Sequence, residues 1–137
     1  MDKCKLTLTL AILMILSGCS ICPPRDAHYE AIKAVDDPLI SLSRAVDVVI
    51  DTLPVDAEDE VIFNAVRLRS GDSHLFVPFA GYKLRAKIEN GIGLILVCTQ
   101  DGKYGLIEDA SCTSRIETCR PVGSPCDYML NPVKVCQ

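Results

Sequence analysis

The sequence predicts an α+β fold, with one or two N-terminal helices packed on an antiparallel β-meander and a disulfide-rich, irregular C-terminal extension. Three observations predict this fold. Apolar residues recur at helical spacing between positions 39 and 53, apolar and charged residues alternate between positions 83 and 89, and five cysteines lie within the last forty residues. A helical region followed by paired antiparallel strands is the pattern of the α+β class.

Two helices are expected before the strands. The first spans positions 28–35, and the second has Asp37 as its N-cap, Pro38 in its first helical position and Pro54 at its end. The long stripe of the second helix is expected to pack on the sheet. The apolar residues at helical spacing are Tyr29, Ile32 and Val35 in the first helix and Leu39, Leu42, Val46, Val49, Ile50 and Leu53 in the second.

The chain from position 61 onward is expected to form strands. Val61–Leu68 is rich in β-forming and apolar residues, and Ser70–Ser73 is a turn signal after it. Leu75–Phe79 is predicted as a second strand. Pro78 lacks a backbone N–H, so this strand requires an edge position, a bulge or a break there.

The meander itself is predicted from a hairpin centred on Asn-Gly at positions 90–91. Positions 83–89 present one apolar and one charged face, and Leu94–Cys98 returns as a continuous apolar strand. A further turn at Asp101-Gly102 precedes a third strand at Lys103–Ile107. One face of this meander is left to accept the second helix.

The N-terminal segment has the features of an export signal. Two lysines precede Leu6–Ser17, an uncharged apolar run shorter than the roughly 20 residues of a membrane-spanning helix. Leu16-Ser17-Gly18-Cys19 then resembles the lipobox of bacterial lipoproteins, in which small residues precede a cysteine that is acylated and becomes the new N-terminus. The resemblance covers residues 1–19 and implies lipidation of Cys19, with an unmodified secreted protein as the alternative.

With lipidation at Cys19, the chain is predicted to consist of four parts: a cleaved signal peptide at 1–18, a lipidated cysteine and tether at 19–27, an α+β domain at 28–109, and a cysteine-rich extension of the same domain at 110–137. Ser20 follows the lipidated cysteine. By analogy with lipoprotein sorting, this residue favours the outer membrane, with the domain facing the periplasm.

The eight cysteines are expected to have different roles. Of eight cysteines, Cys4 leaves with the signal and Cys19 carries the lipid, and an exported chain is expected to pair the other six. The sequence does not choose among their fifteen connectivities or show whether Cys22 is paired. The one CxxC motif, at positions 19–22, includes the lipidated thiol, so no metal site or cofactor is expected. The disulfide candidates are Cys22, Cys98, Cys112, Cys119, Cys126 and Cys136.

The charge balance argues against nucleic acid as a partner. Removal of residues 1–18 takes away two lysines and one aspartate, so the net charge changes from −4 to −5. Binding to a phosphate backbone needs clustered Lys and Arg, which release counterions. Membrane association is therefore expected from the lipid anchor and not from a basic face.

Few polar residues suggest a site, and each has a structural alternative. Lys83, Arg85 and Lys87 form a basic row that either meets an anionic surface or is the solvated face of a strand. The histidines, His28 and His74, would need an unpaired thiolate to form a nucleophilic pair, and six matched cysteines offer none.

Two further features lie near the C-terminus. Asp101, Glu108 and Asp109 would bind a cation or belong to charged loops. Arg120 would sit on an exposed, disulfide-held loop that meets a protease or envelope protein, unless this segment is a tail covering the open edge of the meander.

The expected function is that of a non-catalytic binding or assembly component of the bacterial cell envelope, with an envelope protein or polymer as its partner. No catalytic residues are predicted, because no nucleophile-elbow, zinc-protease or phosphate-loop motif occurs in the chain. The alternatives are a secreted or lipid-anchored inhibitor, or a thiol-dependent enzyme that uses the cysteine-rich C-terminus.

Overall fold

The computed structural model describes residues 30, 32–112 and 120–137. The predicted signal, lipid site and tether lie outside the described residues, as do His28, Cys22 and Cys119 and positions 28, 29 and 31 of the first predicted helix. The described part contains helices and a three-stranded antiparallel sheet, so the α+β combination is confirmed.

The first described helix, α1, spans Asp36–Val49 and continues into a 3₁₀ turn at Ile50–Thr52. The predicted apolar stripe faces the interior. The helix begins two residues earlier than predicted, at Asp36, and Val35 takes the N-cap position. The Asp37 N–H donates to the Asp36 carboxylate at 2.7 Å. Two carboxylates in the first turn favour this end of the helix dipole.

The predicted strand at positions 61–68 is wrong, because this region is a helix, α2, spanning Asp59–Ser70. Burial follows the helical period, with Ile62, Phe63 and Val66 inside. Acidic residues in its first turn and arginines in its last suit the helix dipole, and Gly71 ends it in the left-handed conformation at φ 61°. These end signals outweigh the β-forming composition.

The predicted strand at positions 75–79 is also wrong, because Ser73–Phe79 forms a 3₁₀ segment. The Asp72 carboxylate accepts the His74 N–H at 2.8 Å and caps this segment. Pro78 is tolerated here, because its lack of a backbone N–H removes no hydrogen bond between strands. Phe79 is buried.

The sheet contains β1 (Tyr82–Glu89), β2 (Ile92–Thr99) and β3 (Gly105–Ala110) in that order, all antiparallel. The predicted meander is confirmed. Asn90 and Gly91 have φ values of 54° and 74°, the left-handed pair that a two-residue type I′ turn requires. The register pairs Glu89 with Ile92 and Tyr82 with Thr99.

Both faces of β2 are covered, which explains its continuous apolar sequence. Helices α1 and α2 pack on one face, where Ile95 and Val97 join the main core. The approach of α1 is close, because a Cβ added at Gly93 would lie 2.7 Å from Val46 Cγ1. Glycine at position 93 therefore allows the helix to reach the sheet.

The C-terminal segment, residues 120–137, covers the other face. A disulfide between Cys98 and Cys126 fastens it to β2, and a second between Cys112 and Cys136 fastens its end, each with a Cα–Cα distance of 5.7 Å. The segment also pairs with the start of β3, where the Gly105 N–H donates to Ser124 at 2.8 Å. Its last residues include a short helix, α3 (Pro132–Val135). It thus covers a sheet face as well as part of an edge.

Candidate functional site

A cleft of about 540 Å³ lies between the start of α2, the 3₁₀ segment and the first residues of β1. This volume falls in the range of about 300–1,000 Å³ that is typical of ligand sites. Aromatic rings line it together with side chains of both charges. The lining residues are Asp59, Glu60, Phe63, Arg67, Phe76, Phe79, Ala80, Tyr82, Lys83 and Leu84.

The aromatic wall of the cleft has a fixed geometry. Phe63 and Phe76 meet edge to face with ring centroids 5.7 Å apart, and the Arg67 guanidinium lies 4.5 Å from the centroid of Phe76. Phe63 is buried, whereas Phe76 and Tyr82 are half-buried. Phe76 and Tyr82 therefore offer ring surface to a ligand, while Phe63 supports them from behind.

The acidic side chains of the cleft already have partners. Asp59 accepts the Ala86 N–H at 2.9 Å and lies 3.9 Å from Arg85. Glu60 lies 3.7 Å from Arg67. The contacts of Asp59 tie the start of α2 to β1. Asp59 itself has a φ of 35°, a left-handed backbone that costs energy for a residue other than glycine.

Lys83 is the charged residue of the cleft with no acidic partner in the part of the chain that the structure describes. It is exposed, and both its Cδ and its Nζ lie close to the turn at Gly102. Its ammonium group is therefore an exposed positive charge at the border of the cleft, beside that turn.

The rest of the predicted basic row is covered. Arg85 and Lys87 are half-buried and lie over the ring of Tyr128, 5.6 and 4.6 Å from its centroid. Lys87 also pairs with Glu89. The prediction of a solvated face is therefore wrong for these two residues, since the C-terminal segment packs on them.

Tyr128 is the central contact of that cover. Burial raises its pKa well above the ordinary value, the Asp59 charge raises it further, and the Arg85 guanidinium opposes the shift. Its hydroxyl has no hydrogen-bond partner among the described residues. The ring is thus held by packing and by its two cationic neighbours.

The predicted acidic cluster does not assemble. Asp101 lies in the turn before β3, where the Thr99 hydroxyl and the Lys103 N–H bond its carboxylate and lower its pKa. Glu108 and Asp109 are buried strand residues and not loop residues. Successive strand residues point to opposite faces, so these two carboxylates diverge. Within the described ranges, no group of three metal-ligating side chains is found.

Arg120 is buried, with 3% of its surface exposed, so the prediction of an exposed loop residue is wrong. Its guanidinium lies 3.7 Å from the Glu108 carboxylate and donates to the carbonyls of Pro125 and Asp127 at 3.0 and 2.7 Å. Glu108 in turn accepts the backbone N–H groups of Met129 and Leu130. Arg120 holds the C-terminal segment on the sheet and is not presented to a partner.

The remaining predicted groups offer no nucleophile in the described part of the chain. All four cysteines there are in disulfides, so none is a free thiol. His74 is exposed on the 3₁₀ segment. None of the described helices is long and apolar enough to cross a membrane.

Sequence reasoning missed the cleft because its aromatic residues were assigned to strands. The spacing of Phe63 and Arg67 by four residues, with Gly71 after the last arginine, was the signal for a helix that places both on one wall. No known protein family, curated protein or solved structure matches the chain.

Proposed function

We propose that the protein is a cell-envelope lipoprotein, anchored through acylated Cys19, that binds an envelope protein or polymer through the aromatic cleft and catalyses no reaction. One observation carries the binding role. The cleft combines half-buried rings of Phe76 and Tyr82 with the unpaired ammonium group of Lys83. A concave apolar wall with a few charged groups is typical of a recognition site.

The side chains that line the cleft favour binding over catalysis. The cleft contains no serine, cysteine or histidine, and its two carboxylates each lie beside an arginine. These contacts give both carboxylates a structural role at the start of α2. An inhibitor that presents Arg120 is disfavoured, because that side chain is buried.

The anchor is supported by the sequence alone. The lipobox-like Leu16-Ser17-Gly18-Cys19 and the apolar run before it favour acylation, and Ser20 favours the outer membrane with the domain in the periplasm. Several acyl chains hold a protein firmly, since each buried methylene contributes about 0.8 kcal/mol.

Photocrosslinking from the membrane tests the binding role. We expect a photoreactive residue at position 60, in the cleft, to capture a partner, while the same residue at exposed position 122 captures none. Lys83→Glu is expected to remove the crosslink, and Arg44→Glu, an exposed change on α1, is the matched control. Equal capture from both positions, or none from either, would refute the role of the cleft.

Mass spectrometry of the membrane-extracted protein tests the anchor. The expected mass lacks residues 1–18 and includes acyl chains on Cys19. Cys19→Ser is expected to abolish both changes and leave the full precursor. An unacylated wild-type protein that begins at Cys19 would refute lipidation.

A further inference from the structure

We propose that the cleft takes an extended peptide, which adds to the open end of β1 as a further strand and places a carboxylate beside Lys83. This inference rests on the proposed binding role of the cleft and specifies the class of partner. Strand addition uses backbone hydrogen bonds for affinity and side-chain pockets for selectivity.

The hydrogen-bonding pattern of β1 identifies the open end. In this hairpin, Glu89 pairs with Ile92 across a two-residue turn, so every second residue of β1 forms its backbone hydrogen bonds with β2. The backbone N–H and C=O groups of the residues in between point away from β2. The outward residues are Tyr82, Leu84, Ala86 and Ile88. Two of them are satisfied, since the Ile88 N–H donates to Ala57 at 3.3 Å and the Ala86 N–H donates to Asp59.

Leu84 is different from these two. The register with β2 leaves the Leu84 N–H and C=O on the outer side of β1, and no described residue outside the strands bonds to either group. Leu84 also lines the cleft. An unpaired strand edge is a template for another strand, and proteins generally cover such edges. Here the cover given by Ala57 and Asp59 stops where the aromatic cleft begins.

The side chains around Leu84 indicate what the added peptide carries. Side chains alternate along a strand, so every second residue of the peptide would face the rings of Phe76 and Tyr82, which suit an apolar or aromatic group. Asp59 and Glu60 are paired with arginines, whereas Lys83 is unpaired within the described region. A carboxylate on the peptide supplies the missing partner for Lys83.

A synthetic peptide tests this on the full chain extracted from membranes. The probe is a fluorescein-labelled pentapeptide, Thr-Val-Phe-Asp-Val, in which Phe and Asp point to opposite faces of the strand as Tyr82 and Lys83 do, and anisotropy reports its binding. Replacing single peptide amides by N-methyl amides removes one donor at a time without changing the protein. We expect alternate positions to lose about 10-fold in affinity and their neighbours to lose less than about 2-fold.

Two protein variants test the outward N–H of Leu84 independently. Leu84→Pro removes the outward N–H without removing a bond between β1 and β2, whereas Leu84→Ala trims the side chain and keeps that N–H. We expect Leu84→Pro to bind the probe about 10-fold more weakly than Leu84→Ala. Replacing the peptide Asp by Asn is expected to weaken binding to the wild type but not to Lys83→Ala.

The outcomes separate this inference from the proposed function. Peptide binding that tolerates every N-methyl group would overturn strand addition and leave the cleft as a binding site. Crosslinks from position 60 to a polymer or to a second copy of this chain, without probe binding, would likewise overturn the peptide and keep the binding role. The absence of crosslinks and of probe binding would refute both.

Discussion

Arg120→Ala is expected to be destabilising, because the change removes a buried cation that lies beside the Glu108 carboxylate. Glu108 and Arg120 expose 1% and 3% of their surfaces and lie 3.7 Å apart. The guanidinium also satisfies the carbonyls of Pro125 and Asp127, which would lose their donor. The variant therefore disturbs a charge and two backbone acceptors under the C-terminal segment.

The magnitude follows from burial. Breaking a buried ion pair by removing one partner costs about 3–5 kcal/mol, because the remaining charge loses an attraction that water does not replace. For a domain of this size, each kcal/mol lowers the melting temperature by about 4 °C. The expected fall in melting temperature is about 12–20 °C at neutral pH. An exposed ion pair would contribute less than about 1 kcal/mol.

Thermal unfolding followed by circular dichroism, without reductant, measures the effect. Arg69→Ala is the matched control, since Arg69 is exposed on α2 and its loss is expected to cost less than about 0.5 kcal/mol. Hydrogen exchange at the Met129 and Leu130 amides, which donate to Glu108, detects local detachment of the segment. Melting temperatures within about 3 °C for the two variants, with both amides still protected, would refute the buried pair.

Three further predictions concern packing, titration and disulfides. Gly93→Ala is expected to destabilise the fold by about 1–3 kcal/mol in denaturant titrations, since its Cβ would lie 2.7 Å from Val46, whereas Gly81→Ala, which meets nothing within 4 Å, is the neutral control. Tyr128 has a raised pKa in the fold, so the unfolded chain ionises first and stability falls as the pH rises above about 10; Tyr128→Phe is expected to lessen this alkaline loss. Reduction is expected to add six daltons to the mature chain, which requires that Cys22 and Cys119 form a third disulfide beside the two observed, and a rise of four daltons would contradict it.

The sheet could be predicted because its signals are local. The Asn-Gly pair at positions 90–91 selects its turn through two left-handed backbones, and the strands on either side alternate or are continuously apolar. The helix α1 was likewise visible as a long apolar stripe. For α2, the β-forming composition predicted a strand. The helix forms because its apolar residues are buried at helical spacing and Gly71 caps its end.

The cover over the sheet could not be predicted, because it depends on residues far apart in sequence. Nothing local to Lys87 indicates that Tyr128, forty-one positions later, packs on it. Nor does the sequence around Arg120 indicate a buried partner on β3. Cysteine counting predicted that the C-terminal segment is held by disulfides, but the choice of partners depends on which strand the segment crosses.

These long-range contacts change which part of β1 is available for function. The basic row predicted an anionic partner on a sheet face, yet the disulfides hold Tyr128 over Arg85 and Lys87, so that face is occupied. Lys83 stays exposed at the end of the strand, next to Leu84 and the aromatic cleft. Because the helices cover the other face, the edge is the part of β1 that is left for the proposed recognition. A partner that supplies a strand there satisfies the backbone and the remaining charge together.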